Sequence, residues 1–217
     1  MNSPRQPARA PRQATAGASH RVRIIGGRWK RTPIPVPDGE GLRPTPDRVR
    51  ETLFNWLGQE LDGLDCLDLF AGSGALSFEA ASRGAARVVC LDRSRGAITS
   101  IRTLAAKLGA TMLVPICGDA LAHAERAARD GERFDLVFLD PPFRDQWIER
   151  CLPLAVRLLR PGGRIYVEAE HDINELAIGN GLTVSRHDRA GQVHYHLLSF
   201  PAADGSGSDP LSGSQPT

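Results

Sequence analysis

Apolar residues recur along this chain with two periods that alternate. Short apolar runs at 64–69, 87–91, 112–116, 134–139 and 163–168 read as buried strands. Between them, segments 74–83, 95–108, 119–129 and 145–160 repeat their apolar positions at helical spacing, the last interrupted at Pro153. Strands alternating with helices predict a parallel sheet covered by helices on both faces. The period changes near the end. Residues 182–185 and 192–200 are strand-like and joined by Asp188-Arg189-Ala190-Gly191, which predicts a closing antiparallel hairpin.

The start of the chain follows other rules. Residues 22–25 form a short strand candidate, and Gly26-Gly27 turns into Arg28-Trp29-Lys30-Arg31. Pro33, Pro35 and Pro37 hold the next stretch extended. Thr45 then stands as a helix cap, with Pro46 at the first helical position and Asp47 in the first turn. Val49, Leu53, Trp56 and Leu57 mark the apolar face, and Gly58 ends the helix. The boundaries expected are a basic tail over 1–19, a hairpin extension over 20–45, one α/β domain over 46–200 and a second tail over 201–217.

Composition adds one asymmetry. Of the 27 basic residues, eight lie in the first 31 positions ahead of any acid, which leaves 19 against 25 acids for the rest. A basic arm on an acidic body suits a polyanionic partner, or serves as a solvated tail. No run of about 18 apolar residues suggests a membrane span, so a cytoplasmic protein without membrane contact is expected. Cys66, Cys90, Cys117 and Cys151 are scattered, without a C-x-x-C pair. Strand-like surroundings predict buried free thiols rather than zinc ligands. His194 and His196 share one strand face, but no third ligand is evident and an exposed polar face is expected; no metal is predicted.

The candidate chemistry lies at strand ends, where ligands bind in sheets of this kind. Asp68, Asp92, Asp119 and Asp140 all fall there. Gly72 and Gly74 allow a tight turn from strand to helix and a close approach of backbone to ligand. Asp92 follows at the next strand end, where an acid can accept both hydroxyls of a ribose. A dinucleotide fingerprint would need a third glycine where Ser77 stands, and Asp68 would repel a pyrophosphate. An acid there suits a cation, such as the ammonium of S-adenosylmethionine. Asp119, beside Ala120, is placed to accept from an adenine amino group or to cap its helix. In Asp140-Pro141-Pro142-Phe143 two prolines without N–H groups leave the Asp140 carboxylate and the Pro141 carbonyl as acceptors, with Phe143 as a stacking surface. Two acceptors on the hydrogens of a planar amine localise its lone pair toward a methyl donor. Trp29 among Arg28, Lys30 and Arg31 can stack on a base while its neighbours hold phosphates, or can simply form a hairpin tip.

Asp68-x-Phe70-x-Gly72-x-Gly74 resembles the first motif of class I S-adenosylmethionine-dependent methyltransferases, and the Asp-Pro-Pro-Phe loop resembles that of enzymes methylating planar nitrogens. Three further segments are similar to the bacterial 16S rRNA guanine-N2 methyltransferases of the RsmD family: Arg23-Ile24-Ile25-Gly26-Gly27, the block from Leu42 through Leu57, and Ala190-Gly191-Gln192-Val193. The resemblance implies a doubly wound, mostly parallel seven-stranded Rossmann-like sheet with an antiparallel C-terminal hairpin strand and a small N-terminal hairpin. It implies transfer to N2 of a loop guanine in 16S rRNA of the small ribosomal subunit. Compact size and an acidic body suggest a monomer that relies on ribosomal proteins as well as RNA. The resemblance also implies that Arg43 and Thr45 cover the methionine end of the donor, that Phe70 packs on it and Arg93 lies beside it, and that Asp140 and Phe143 hold the guanine. Arg23 joins the basic hairpin residues expected to touch RNA. Three other readings stay open: an adenine-N6 DNA methyltransferase, a nucleotide-linked oxidoreductase, and a non-catalytic RNA-binding assembly factor.

Overall fold

The computed structural model describes residues 22–36, 45–143 and 146–201. In chain order, β1 (Val22–Arg23) and β2 (Pro33–Ile34) form a small antiparallel hairpin, followed by α1 (Asp47–Leu57). The body then alternates: β3 (Asp65–Asp68), α2 (Ala75–Ser82), β4 (Arg87–Asp92), α3 (Arg95–Leu108), β5 (Leu113–Cys117), α4 (Ala120–Arg129), β6 (Phe134–Leu139), α5 (Trp147–Leu158) and β7 (Leu159–Ala169). It closes with α6 (Asn174–Gly179), β8 (Thr183–Ala190) and β9 (Val193–Ser199). Seven strands make one sheet in the order β5-β4-β3-β6-β7-β9-β8. The first five are parallel, and β9 runs antiparallel to both neighbours. The expected fold class is therefore present, and no described helix is long and apolar enough to cross a membrane.

Chain order reverses between β3 and β6, with Asp68 paired to Phe138, so the crevice of this sheet opens beyond those two carboxyl ends. Alternate residues feed opposite cores. Leu136 and Phe138 pack with Phe54, Phe78 and Tyr166 on one face, while Val137 and Leu139 pack with Leu67, Leu152 and Leu158 on the other.

Helix α2 is buried over its whole length, because the sheet covers one side and the β1–β2 hairpin the other. Its polar residues survive there by being bonded. The Ser82 hydroxyl donates to the Gly26 carbonyl at 2.7 Å and accepts from the Trp29 N–H at 2.9 Å. Glu79, fully buried, accepts from Arg83 Nε at 2.8 Å and from the Ile25 N–H at 2.8 Å, and lies 3.6 Å from Arg50 Nη1. Arg83 also lies over the Phe54 ring, 4.6 Å from its centroid.

Several local expectations need correction. Helix α5 runs through Pro153 without a break. A proline inside a helix costs about 3 kcal/mol, but complete burial of Leu152 and Leu158 contributes roughly 1.5–3 kcal/mol each and holds it in place. Strand β7 starts four residues earlier than its apolar run, with the Pro161-Gly162-Gly163 stretch accommodated where the β6–β7 register shifts. Asp188, Arg189 and Ala190 belong to β8 rather than to a loop. Cys66, Cys90 and Cys151 are buried, and burial pushes each thiol up to about 12. Cys117 is exposed, because it ends the edge strand β5. His196 is fully buried rather than part of an exposed polar face. Both outer tails and residues 37–44 lie outside the described residues.

Glu79→Ala should destabilise the fold by about 3–5 kcal/mol in equilibrium urea unfolding, since it strands two buried guanidinium groups. A loss within about 0.5 kcal/mol, the scale of an ordinary surface change, would show that the triad is dispensable.

Candidate active site

Strand β3 ends at Asp68, and the chain turns into α2 through Gly72 (φ 52°) and Gly74 (φ 81°). A Cβ on Gly74 would meet Ile101 at 3.0 Å and Phe78 at 3.1 Å, so both dihedral and packing require glycine. Asp68 is 1% exposed. Its Oδ2 accepts from the Ser77 hydroxyl at 2.6 Å and its Oδ1 from the Phe70 N–H at 3.4 Å. Burial pushes this acid up to about 7; the two hydrogen bonds oppose the shift, and the charges of Asp140 and Asp92 add to it. Ser77, which stands where a dinucleotide fingerprint has glycine, is thus the group that holds Asp68.

Asp92 holds the glycine loop from the neighbouring strand. Its Oδ2 accepts from the Gly72 N–H at 2.9 Å and its Oδ1 from the Ser94 N–H at 2.7 Å. Each oxygen keeps a second lone pair, which suits two adjacent hydroxyls. Asp119 caps α4 by accepting from the Ala122 N–H at 2.9 Å. It is exposed at the rim, with Ala120 buried behind it and Arg93 exposed beside Asp92. Phe70 is half-buried and meets Trp147 edge-on, with centroids 5.5 Å apart.

Beyond β6, Asp140 is half-buried, Pro141 buried, Pro142 exposed and Phe143 half-buried. Thr45 does not cap α1. Pro46 occupies the cap position without a side-chain bond, and the Thr45 hydroxyl instead donates to Asp140 Oδ2 at 3.0 Å. The N-terminal segment thereby closes on the reacting loop. Glu168, near the end of β7 and 5% exposed, accepts from the Tyr166 hydroxyl at 2.8 Å. Burial raises the pKa of both Glu168 and Asp140, the charge of Glu168 raises Asp140 further, and the Thr45 hydroxyl opposes the shift in each. Sequence reasoning missed Glu168 and Tyr166; a glutamate closing an apolar run on the same rim as four aspartates was the available signal.

The expected RNA-binding residues separate. Arg23 is exposed and paired with Asp47 at 3.0 Å. Arg28, Lys30 and Arg31 are exposed at the hairpin tip, where the Arg28 N–H donates to the Ser82 carbonyl at 2.7 Å. That is the C-terminal end of α2, so the tip lies toward the amino ends of the parallel strands, whereas Asp140 follows the carboxyl end of β6. The Trp29 ring is packed into the core, 9% exposed, and is not presented for stacking on a base. Arg43 lies outside the described residues.

The profile of the family described as Conserved hypothetical protein 95 matches residues 22–199. The chain is 39% identical over 197 residues to the ribosomal RNA small subunit methyltransferase D of Escherichia coli strain K12, covering 88% of this chain and 96% of that protein. The enzyme of the same name from Haemophilus influenzae is 37% identical, covering 84% and 96%. A solved methyltransferase structure from Escherichia coli is 38% identical, covers 82% of this chain and 97% of that one, and superposes with a TM-score of 0.70. With the glycine loop, the acid-lined rim and the Asp-Pro-Pro-Phe loop, these likenesses establish that the chain belongs to the RsmD family of methyltransferases.

Proposed function

We propose that this protein transfers the methyl group of S-adenosylmethionine to the exocyclic N2 of a loop guanine in 16S rRNA of the small ribosomal subunit. One observation carries the reading: the Asp140-Pro141-Pro142-Phe143 loop stands beyond β6, next to β3 with its glycine loop, at the reversal point of the sheet. The names of the relatives support rRNA as the substrate class, over duplex DNA or a nicotinamide cofactor.

The donor set fits the methyl donor. Asp68 is a buried acid without a cationic partner among the described residues, and an ammonium group would supply one. Asp92 would take the ribose hydroxyls beside Arg93, Asp119 and the Ala120 backbone the adenine edge, and Phe70 the donor's flank. Gly72 and Gly74 bring backbone close, and Arg43 and Thr45 would cover the methionine end. Bound S-adenosylmethionine supplies an electrophilic methyl on a sulfonium.

The remaining work falls to this chain's own side chains. Phe143 stacks on the base, and the Asp140 carboxylate and the Pro141 carbonyl accept from the amino hydrogens. As the new C–N bond forms and the methyl–sulfur bond breaks with its electron pair left on sulfur, nitrogen becomes positive and gives up a proton to the ionised member of the Asp140–Glu168 pair. Thr45 fixes the orientation of Asp140 through its hydroxyl. The target base has to leave its stack to reach this rim, which is cheapest in a loop. Arg23, Arg28, Lys30 and Arg31 contact phosphates away from the reacting base, which suits a substrate as large as a ribosomal subunit.

Incubation of unmodified small subunits with labelled donor should yield N2-methylguanosine after digestion, reduced about a hundredfold or more in Asp140→Ala. Label in DNA adenine, or undiminished transfer by Asp140→Ala, would overturn the assignment. The rate should rise with pH as the Asp140–Glu168 pair ionises, and Glu168→Gln should move that rise to lower pH by removing a negative neighbour; an unmoved profile would exclude Glu168 from the proton path. For Asp68 the folded acid is raised, so its stability contribution is complete below the ordinary carboxylate range and is lost as pH rises through about 7. Donor affinity should show the opposite trend and climb from about pH 5 to about pH 8. Calorimetry on Asp68→Asn should give weaker, flatter binding.

A further inference from the structure

His194 and His196 project from one face of β9, and the β8–β9 register sets His187 directly opposite His196. The three rings stack, with centroids 4.4 Å apart for His187 and His196, 5.3 Å for His187 and His194, and planes within 12°. One donor nitrogen from each lies within 4.8 Å of the other two. Asp172, in the connection after β7, brings Oδ1 to 3.6 Å from His196 Nε2. The sequence reading found no third ligand because His187 sits on a different strand. Only pairing makes it a neighbour.

Packing alone accounts for part of this cluster. The 3.1 Å separation of His187 Nε2 and His194 Nδ1 suits a hydrogen bond between neutral rings. It does not account for His196, which is fully buried with neither ring nitrogen hydrogen-bonded. An imidazole held that way loses its solvation on both nitrogens and gains only a carboxylate beyond hydrogen-bond distance.

We propose that His187, His194, His196 and the Asp172 carboxylate form a binding site for one divalent transition cation, zinc being the ion that three imidazoles and a carboxylate fit best. Zinc–nitrogen bonds of about 2.0–2.1 Å in a tetrahedral site put neighbouring donors roughly 3.3 Å apart. The His187–His194 and His196–Asp172 separations already match that spacing. Stacked rings aim their lone pairs in parallel, so ligation fans the rings apart by side-chain rotation. Exposed His187 and half-buried His194 have room to turn, and buried His196 is the fixed member. The ion ties the edge hairpin β8–β9 to the β7–α6 connection. Tyr195 and Leu197 point to the other face of the sheet, with Tyr166, so the site stands apart from the Asp140 loop.

Untagged full-length protein, stripped with EDTA, would be titrated with zinc by calorimetry and by thermal unfolding. One saturable equivalent and a raised Tm are expected. His187→Ala and His194→Ala should abolish both effects while melting like wild type without metal, and Asp172→Asn should weaken binding about 10–100-fold. The site would be overturned by an absence of saturable binding, by binding that survives both histidine changes, or by binding lost only in Cys117→Ser, which would assign the ion to the exposed thiol.

Discussion

A buried guanidinium has no water to bond to, so every N–H direction of Arg50 must end on protein. Its Nε donates to the Thr45 carbonyl at 3.3 Å, Nη1 to the Arg23 carbonyl at 2.9 Å and Nη2 to Asp47 at 2.6 Å, with Glu79 facing it at 3.6 Å. Those acceptors come from β1, from the entry to α1 and from α2. Desolvating such a charge costs several kcal/mol, and only near-complete pairing offsets it. The hairpin, α1 and α2 are therefore locked to one another, and α2 can be buried on all sides. Because one acceptor is the Thr45 carbonyl, the same lock carries the Thr45 hydroxyl to Asp140. The extension reaches the candidate active site through this one side chain.

The four rim aspartates differ in chemistry because they differ in depth. Asp119 is exposed and spends an oxygen on a helix cap. Asp92 is half-buried and shapes the glycine loop through two backbone N–H groups. Asp68 is buried and held by a hydroxyl, which leaves its charge in want of a cation. Asp140 is half-buried and feels the charge of the buried carboxylate Glu168, which suits proton acceptance rather than cation binding. One residue type thus offers four different environments along a single rim, sorted by solvent access and by neighbours.

Strong periodicity made most of the fold legible. The runs ending at Asp68, Asp92 and Leu139 are buried on both faces, and period and position there require no knowledge of partners. The Gly-rich turn and the Asp-Pro-Pro-Phe loop were legible for a related reason, since positive φ and missing N–H groups are local properties of glycine and proline. Chain-local rules also produced the errors. Thr45 beside Pro46 has the signature of a helix cap, but its hydroxyl bonds across 95 residues instead. Trp29 among cations looks exposed until the hairpin folds onto Ser82.

By itself the sequence determined the order and type of most elements, the central strands and the glycine and Asp-Pro-Pro-Phe turns, because those depend on backbone conformation and on neighbours a few residues apart; the short helix α6 left no such mark. Tertiary structure alone decided which side chains meet: Arg50 with Glu79, Ser77 with Asp68, Asp140 with Thr45, and His187 with His196. Each of those meetings depends on desolvation and on pairing between distant segments. Burial and strand register exist only once the sheet has closed.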